Sequence, residues 1–215
     1  MKPVHLTLSV PFEKLPVGAS RFWGNPDLPK GFKYPMYIDD EGDEFPYFFV
    51  CQINLAEVAP YDAGHLLPHE GLLSFFAKID HYMGYCAATD CIGGSISSTD
   101  AVRVLYFPSL DGMDEVVLLD DDDNPFAPGE LAIGYSHEVP PLSEEHMLFA
   151  PPAHRPWETW DAPYEDWLIL FQVDSFYGMD FNLNFMDFGV LDFLISPADL
   201  RQHRFDRVRA LVLST

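Results

Sequence analysis

The stretch YFFVCQIN at residues 47–54 recurs, in similar form, as WLILFQVD at residues 167–174. Each stretch is followed by a glycine-led apolar run, GLLSFF at residues 71–76 and GVLDFL at residues 189–194. The spacing from the glutamine to the glycine is 19 residues in the first copy and 17 in the second. Internal similarity of this kind indicates one supersecondary unit that is used twice around a shared core.

The repeat and the strand patterns define the expected architecture. We predict a single domain over residues 1–215 that consists of two related units, about 1–124 and 125–215. The expected class is α+β and β-rich, with short helices and long Pro/Gly-rich loops, because 19 prolines and 14 glycines interrupt helices. Besides the repeated stretches, the segments predicted as strands are residues 3–10, 101–107, 115–119 and 208–213. Residues 125–163 lack a clear periodicity, which indicates a connector between the units.

Two short helices are expected where capping residues stand. Asn54 can accept a hydrogen bond from the first turn of a helix over residues 55–58, which Pro60 ends. Ser196 is a second candidate N-cap, with Pro197 at the first helical position.

The composition of the chain is strongly acidic, with 34 acidic against 12 basic residues and a formal net charge of −22. This charge disfavours binding to nucleic acid and to anionic membrane surfaces, because both repel a polyanion. The charge either serves solubility alone or steers a basic protein partner towards this protein. The chain has no run of about 18 apolar residues, so no membrane span is expected.

The three cysteines, Cys51, Cys86 and Cys91, are an odd number and too few for a disulfide framework. Reduced thiols, together with an N-terminus that lacks the pattern of a signal peptide, predict a cytoplasmic protein. Cys86 and Cys91 with His81 resemble a zinc ligand set only loosely, since structural zinc sites favour closer cysteine pairs. We expect no metal and no cofactor.

An acidic run, DDDDN at residues 120–124, invites comparison with a calcium-binding loop. A calcium loop that begins at Asp120 would need glycine where Pro125 stands and glutamate where Leu131 stands. A solvated turn is therefore the expected structure.

Several segments together resemble one known family. They are SRFWGNPDLP at residues 20–29, VCQINLAE at 50–57, GLLSFF at 71–76, LFQVD at 170–174 and DFG at 187–189. This combination is similar to the YwqG-like family, a bacterial domain family of unknown function. The resemblance implies an α+β fold with internal duplication and implies no activity. The chain departs from the family pattern at Trp23, where a glycine is usual, and at Tyr34, where a tryptophan is usual.

Gln52 and Gln172 hold equivalent places in the two copies. Strand alternation puts each on the same face as the apolar residues two and four positions before it, so both are expected to be buried and hydrogen-bonded. One interpretation is that each amide holds a neighbouring loop. The other is that both amides, with Asn54 and Asp174, line a pocket between the two units.

Three further residues are candidate binding residues. Trp23 lies beside Arg21 in the Pro/Gly-rich segment, where it either covers the core or forms an exposed aromatic anchor. Asp187 precedes a glycine that opens a strand, and a turn residue is the simpler explanation.

The chain lacks the local signatures of a catalytic nucleophile and of a phosphate-binding loop. Our leading hypothesis is an uncharacterised soluble binding or interaction protein with an acidic surface, which neutralises a basic protein partner as an immunity protein does. The alternative is a hydrolase or a small-ligand-binding enzyme that uses carboxylate and amide residues in a cleft between the units. Two facing carboxyl groups with strongly raised pKa values would favour the enzyme.

Overall fold

The computed structural model describes residues 2–39, 41–79, 92, 94–120, 122–139, 146–152, 160–178, 181–183, 185 and 189–213. Asp187 and the possible zinc ligands His81, Cys86 and Cys91 lie outside these residues. The strands are β1 (Val4–Ser9), β2 (Arg21–Phe22), β3 (Asp27–Pro29), β4 (Met36–Ile38), β5 (Glu44–Pro46), β6 (Phe48–Asn54), β7 (Leu72–Ala77), β8 (Val102–Phe107), β9 (Met113–Glu115), β10 (Leu131–Ser136), β11 (Met147–Leu148), β12 (Leu168–Asp174), β13 (Phe176–Gly178), β14 (Phe181–Leu183), β15 (Val190–Ile195) and β16 (Arg209–Leu213). The α-helices are α1 (Leu55–Val58) and α2 (Pro197–Arg201), and single 3₁₀ turns cover Ala59–Tyr61 and Phe205–Arg207.

Within the described residues, ten strands form one antiparallel sheet in the order β16-β15-β12-β11-β1-β10-β2-β6-β7-β8. The two edges of this sheet approach one another. Tyr106 of β8 packs against Phe205, just before β16, with ring centroids 5.9 Å apart. Ser97, which precedes β8, accepts a 3.0 Å hydrogen bond from the backbone N–H of Ala210 in β16. The large sheet is therefore nearly closed.

Each of the ten strands contributes side chains to one apolar core, which we take as the inner face of the sheet. Phe75 of β7 contacts Phe171 of β12 and Phe193 of β15, with ring centroids 4.8 and 5.2 Å apart. Aromatic rings in such pairs contribute favourable edge and offset contacts in addition to their buried area. These contacts join strands from the two ends of the sheet across its interior.

The outer face carries two smaller apolar clusters. One is built on β12, β15 and β16 and is covered by Trp160. The other, which we call the Tyr47 cluster, comprises Leu28, Tyr47, Phe49 and Phe76. Because both faces of the sheet are covered in these regions, β6, β7 and β15 are almost continuously buried.

Several features occur at matching places towards the two ends of the sheet. The β6–β7 and β12–β15 pairings each have one register shift, at Phe49/Cys51 and at Ile169/Phe171. β2 pairs with β6 as β11 pairs with β12, so that Arg21 lies opposite Gln52 and Met147 lies opposite Gln172.

The glycines that lead the two repeated apolar runs also have matching surroundings. A Cβ atom on Gly71 would lie 2.2 Å from the backbone oxygen of Phe107, and one on Gly189 would lie 2.1 Å from that of Leu213. No side chain fits at such distances, so the close approach of the neighbouring strand requires glycine at both places.

The middle of the sheet holds the first strand of the chain, β1, next to the much later strand β10. β1 pairs with β10 and β11, and β10 pairs with β1 and β2. Both sheet neighbours of the first strand therefore come from residues 131–148, far along the chain.

The β-rich character of the predicted fold is confirmed, and the protein is mostly β, because its helices have only one turn or slightly more. Both helix predictions are correct: Asn54 caps α1 by accepting from the N–H of Ala56, and Ser196 caps α2. The predicted strand over residues 115–119 is wrong, since β9 ends at Glu115 after pairing with β3. The predicted connector over residues 125–163 is also wrong in part, because β10 and β11 are inner strands of the large sheet.

Candidate functional site

Arg21 is at the centre of a buried polar cluster on the outer face of the sheet. One terminal nitrogen of its guanidinium lies 3.0 Å from Asp27 Oδ2, and the other lies 3.2 Å from Glu130 Oε2. The same guanidinium donates to the backbone oxygens of Pro16 and Asn25. The side chains of Arg21 and Asp27 are 1% and 0% exposed, so this ion pair is fully removed from solvent.

Gln52 completes this cluster from β6. Its Nε2 donates to Asp27 Oδ2 at 2.5 Å and to the oxygen of Ala19 at 2.9 Å, and its Oε1 accepts from the N–H of Asp27 at 2.8 Å. Asn54 extends the cluster, because its Nδ2 donates to the oxygen of Gly18 at 2.8 Å. These bonds satisfy polar groups of the 16–27 loop that would be costly to bury alone.

The Arg21 cluster brings together three of the predicted site residues, Arg21, Gln52 and Asn54, and its contacts are with the protein's own loop. Trp23 follows Arg21 and is 1% exposed, packed against Phe22 at a ring separation of 5.2 Å. Trp23 therefore covers the core and does not form an exposed anchor. The cluster positions a loop, which is the first of the two interpretations of Gln52.

Gln172 and Asp174 lie on β12 and do not join this cluster. In the sheet, four strands separate β12 from β6. The bulge in each strand also reverses the predicted face: Cys51 and Phe171 point to the inner core, so Gln52 and Gln172, one position later, point outward. The two amides thus do not line a shared pocket between the halves.

The backbone N–H of Asp174 donates to His146 Nδ1 at 3.1 Å, and burial lowers the pKa of His146 to about 3.

Asp192 is a buried carboxyl group that the sequence analysis did not select. It lies on β15 opposite Gln172 and is 1% exposed. Within the described residues its Oδ1 has no hydrogen-bond partner, and burial raises the pKa of Asp192 to about 8. The repeat could have drawn attention to Asp192. It lies opposite Gln172 in the second copy, at the place where the first copy has Ser74 opposite Gln52.

A shallow cleft opens to solvent beside the Tyr47 cluster. Its lining includes the side chains of Tyr34, Phe48, Phe49, Leu118 and Phe126. The Tyr34 hydroxyl donates to the oxygen of Tyr47 at 2.9 Å, which leaves the rest of its ring as cleft wall. The cleft is therefore mostly apolar and aromatic.

Two acidic hairpins rise beside this cleft. The first acidic hairpin is β4–β5 with its turn, residues 36–46, and the second is residues 116–126. Their turns share one geometry: Asp39 Oδ1 accepts from the N–H groups of Glu41 and Asp43, as Asp120 Oδ1 accepts from those of Asp122 and Asn124. Side-chain bonds of this type stabilise turns locally.

The turn of the second acidic hairpin has a position that suits glycine. Asp123 has a φ of +63°, and Gly42 stands at the matching position of the first hairpin with a φ of +93°. We expect Asp123→Gly to raise the free energy of unfolding by about 0.5 kcal/mol, because a left-handed backbone is strained for residues with a Cβ. Urea unfolding measures the change. Asp122→Gly is the control and should not stabilise the protein, and destabilisation by Asp123→Gly would contradict the prediction.

Among the described residues, no group of three or more His, Cys, Asp or Glu side chains is arranged to hold a metal ion. The carboxylate of Asp120 instead forms the turn described above. Neither helix in the described part of the chain has the length or the apolar character to cross a bilayer.

These features define a mostly β domain with a nearly closed sheet, a buried ion-pair cluster that fixes one loop, and an aromatic cleft beside two acidic hairpins. The chain matches the family model described as "Domain of unknown function (DUF1963)" at residues 20–158 and again at residues 119–212. Because these matches span nearly the whole chain, the protein belongs to this family. No curated protein matches the chain.

Proposed function

We propose that this protein is a binding protein whose partner is a basic protein. The observation that carries the proposal is the pair of acidic hairpins, which present apolar and acidic side chains together. Ile38 is 67% exposed on the first acidic hairpin, and Leu119 is 55% exposed on the second. Exposed apolar groups that are surrounded by charge of one sign are typical of an interaction surface.

The charge of the whole chain supports the same proposal. A net charge of −22 produces a field that attracts a basic protein and accelerates its association at low salt. One form of this function is neutralisation, in which the bound protein loses access to its own target, as with an immunity protein or an inhibitor. A cytoplasmic location and membership of the YwqG-like family are parts of this proposal. The buried, free thiol of Cys51 is consistent with that location.

We also propose that the domain is a duplication of one unit, with the boundary near residue 125. Two observations support this proposal. The strands counted inwards from one edge of the sheet pair in the same way as those counted inwards from the other edge, and each half has one bulge at the same place. Trp23 and Phe149, each just after the short strand that pairs with the bulged one, both have a positive φ, +58° and +55°. An experimental structure in which the shared strands of the two halves fail to superpose would contradict this proposal.

A hydrolase has less support. That alternative needs two facing carboxyl groups with raised pKa values in a cleft between the units. Burial raises the pKa of the Asp192 carboxyl group, but this group lies buried within the large sheet. We therefore retain the binding protein as the proposed function.

A peptide-selection experiment tests the proposed function and requires no identified partner. A random library of peptides of about 12 residues is selected on the protein at about 50 mM salt and again at about 300 mM. We expect enrichment of sequences rich in Lys and Arg at the lower salt. Recovery of these sequences should be at least about tenfold weaker at the higher salt, because salt screens the attraction between surface charges. Enrichment of neutral or acidic sequences, or no enrichment, would refute the proposal.

A further inference from the structure

The cleft beside the Tyr47 cluster is shallow and open to solvent, so one side chain can lie against its walls. The walls contributed by Tyr34, Phe49 and Phe126 are aromatic. Aromatic walls favour an apolar or aromatic side chain, because such a group exchanges water for close ring contacts.

Both acidic hairpins are anchored next to this cleft. Tyr37 of the first hairpin and Val116 of the second pack against the Tyr47 cluster. Tyr34, two residues before β4, and Leu118, within the second hairpin, are themselves cleft walls. A polypeptide segment that enters the cleft is therefore within reach of both hairpins.

The charges of the two acidic hairpins select the chemistry of that segment. The first acidic hairpin contains five acidic residues and no basic one, and the second has four acidic residues at its tip and no basic one. Among the residues of the two hairpins that the structure describes, the exposed acidic side chains are those of Glu41, Asp43, Glu44, Asp122 and Asp123. A second copy of this chain carries the same net charge of −22 and would be repelled, so self-association does not account for the surface.

We propose that the cleft binds an apolar side chain of a basic polypeptide segment, and that Lys or Arg residues flanking this side chain pair with the two acidic hairpins. This inference rests on the proposed function and names the surface and the partner chemistry. The apolar side chain supplies contact area, and the flanking charges supply orientation and association rate.

The test uses defined fluorescent peptides and fluorescence anisotropy. The probe is a peptide of about 12 residues with one central Trp and Lys at alternate positions. One comparison peptide has Ser in place of Trp, and the other has Glu in place of each Lys. We expect the probe to bind about tenfold more tightly than the Ser peptide, the size of effect that a buried aromatic anchor produces. The Glu peptide should not bind.

Variants of the protein then locate the site. Ile38→Ser with Leu119→Ser removes exposed apolar side chains beside the cleft, and Ala127→Trp fills the cleft itself. The matched control is Val10→Ser with Val139→Ser, at valines that are 66% and 74% exposed elsewhere. We expect each cleft variant to weaken binding about tenfold and the control to leave it unchanged.

A charge-matched pair of variants tests the acidic hairpins. The hairpin variant neutralises the five exposed acidic residues named above, as Gln or Asn. The control variant neutralises five exposed acidic residues elsewhere, namely Glu57, Glu138, Asp161, Glu165 and Asp166. Because both variants have the same net charge, a loss of about tenfold or more in the hairpin variant alone assigns the interaction to the hairpins.

The outcomes separate this inference from the function on which it rests. If the peptide selection yields basic sequences but the cleft and hairpin variants behave like their controls, the inference is wrong and the proposed function stands. If the selection yields no basic sequences, the proposed function fails and the inference fails with it. Equal binding of the Trp and Ser peptides also overturns the inference.

Discussion

Arg21→Met is expected to lower the free energy of unfolding by about 3–5 kcal/mol, as is typical when one partner of a buried ion pair is removed. The substitution leaves the Asp27 carboxylate, which is 0% exposed, without its cation. Methionine suits the position sterically, because Met147 occupies the matching place opposite Gln172. The loss of stability therefore measures the contribution of the Arg21 charge and its hydrogen bonds. Urea unfolding near pH 7, followed by circular dichroism, measures it.

A second variant identifies the cause of that loss. In the Arg21→Met background, Asp27→Asn removes the buried negative charge and keeps an oxygen that can accept from the N–H of Gly18, now 2.8 Å from Asp27 Oδ2. We expect the double variant to be more stable than Arg21→Met alone, with a coupling of at least about 1 kcal/mol. If the two effects simply add, or if Arg21→Met costs less than about 1 kcal/mol, the ion pair is not what holds the loop.

Asp192→Asn is expected to raise the free energy of unfolding near pH 7 by as much as about 4 kcal/mol, because this pH lies about 3 units above the unfolded pKa of 3.8 and each unit contributes about 1.36 kcal/mol. Burial raises the pKa of Asp192 from 3.8 to about 8, so the folded protein holds a proton that the unfolded chain releases. A group whose pKa is raised by folding contributes its full stabilisation at pH values below its pKa in the unfolded chain. This stabilisation is lost as the pH rises through the pKa of the folded protein. The native protein should therefore lose this stability between about pH 4 and pH 8.

Comparison with the variant isolates Asp192 from the many other carboxyl groups. The stability difference between Asp192→Asn and the native protein should be small near pH 4 and should grow as the pH approaches 8. Asp166→Asn, at an exposed position, is the control and should change stability by less than about 0.5 kcal/mol at every pH. A difference that does not vary with pH would show that the buried carboxyl group is not protonated in the folded protein.

Local features of the sequence predicted local structure well. Asn54 and Ser196 cap short helices because an N-cap bond reaches only two or three residues along the chain. The repeated apolar runs became buried strands, and the glycine before each is required by a contact that any Cβ would block. These signals depend on neighbours in sequence or on a pattern that the chain shows twice.

The features that the sequence did not predict depend on distant contacts. A single bulge turned Gln52 and Gln172 to the outer face, and nothing in an apolar run marks where a bulge occurs. β2 and β11 have two residues each, which is too short for a periodic pattern. The ion pair between Arg21 and Glu130 was also not predicted, because more than a hundred residues of chain separate the two side chains.

The placement of β1 has a consequence for synthesis on the ribosome. Both of its sheet partners, β10 and β11, are translated only after residue 130. A nascent chain that has completed β2 to β8 thus carries β1 as an unpaired strand, which must wait for the later residues to emerge. When several ribosomes translate one message, that waiting strand meets newly made copies of β10 on neighbouring chains. Synthesis on closely spaced ribosomes should therefore produce domain-swapped dimers, in which β1 of one chain pairs with β10 of another, as its characteristic misfolded product.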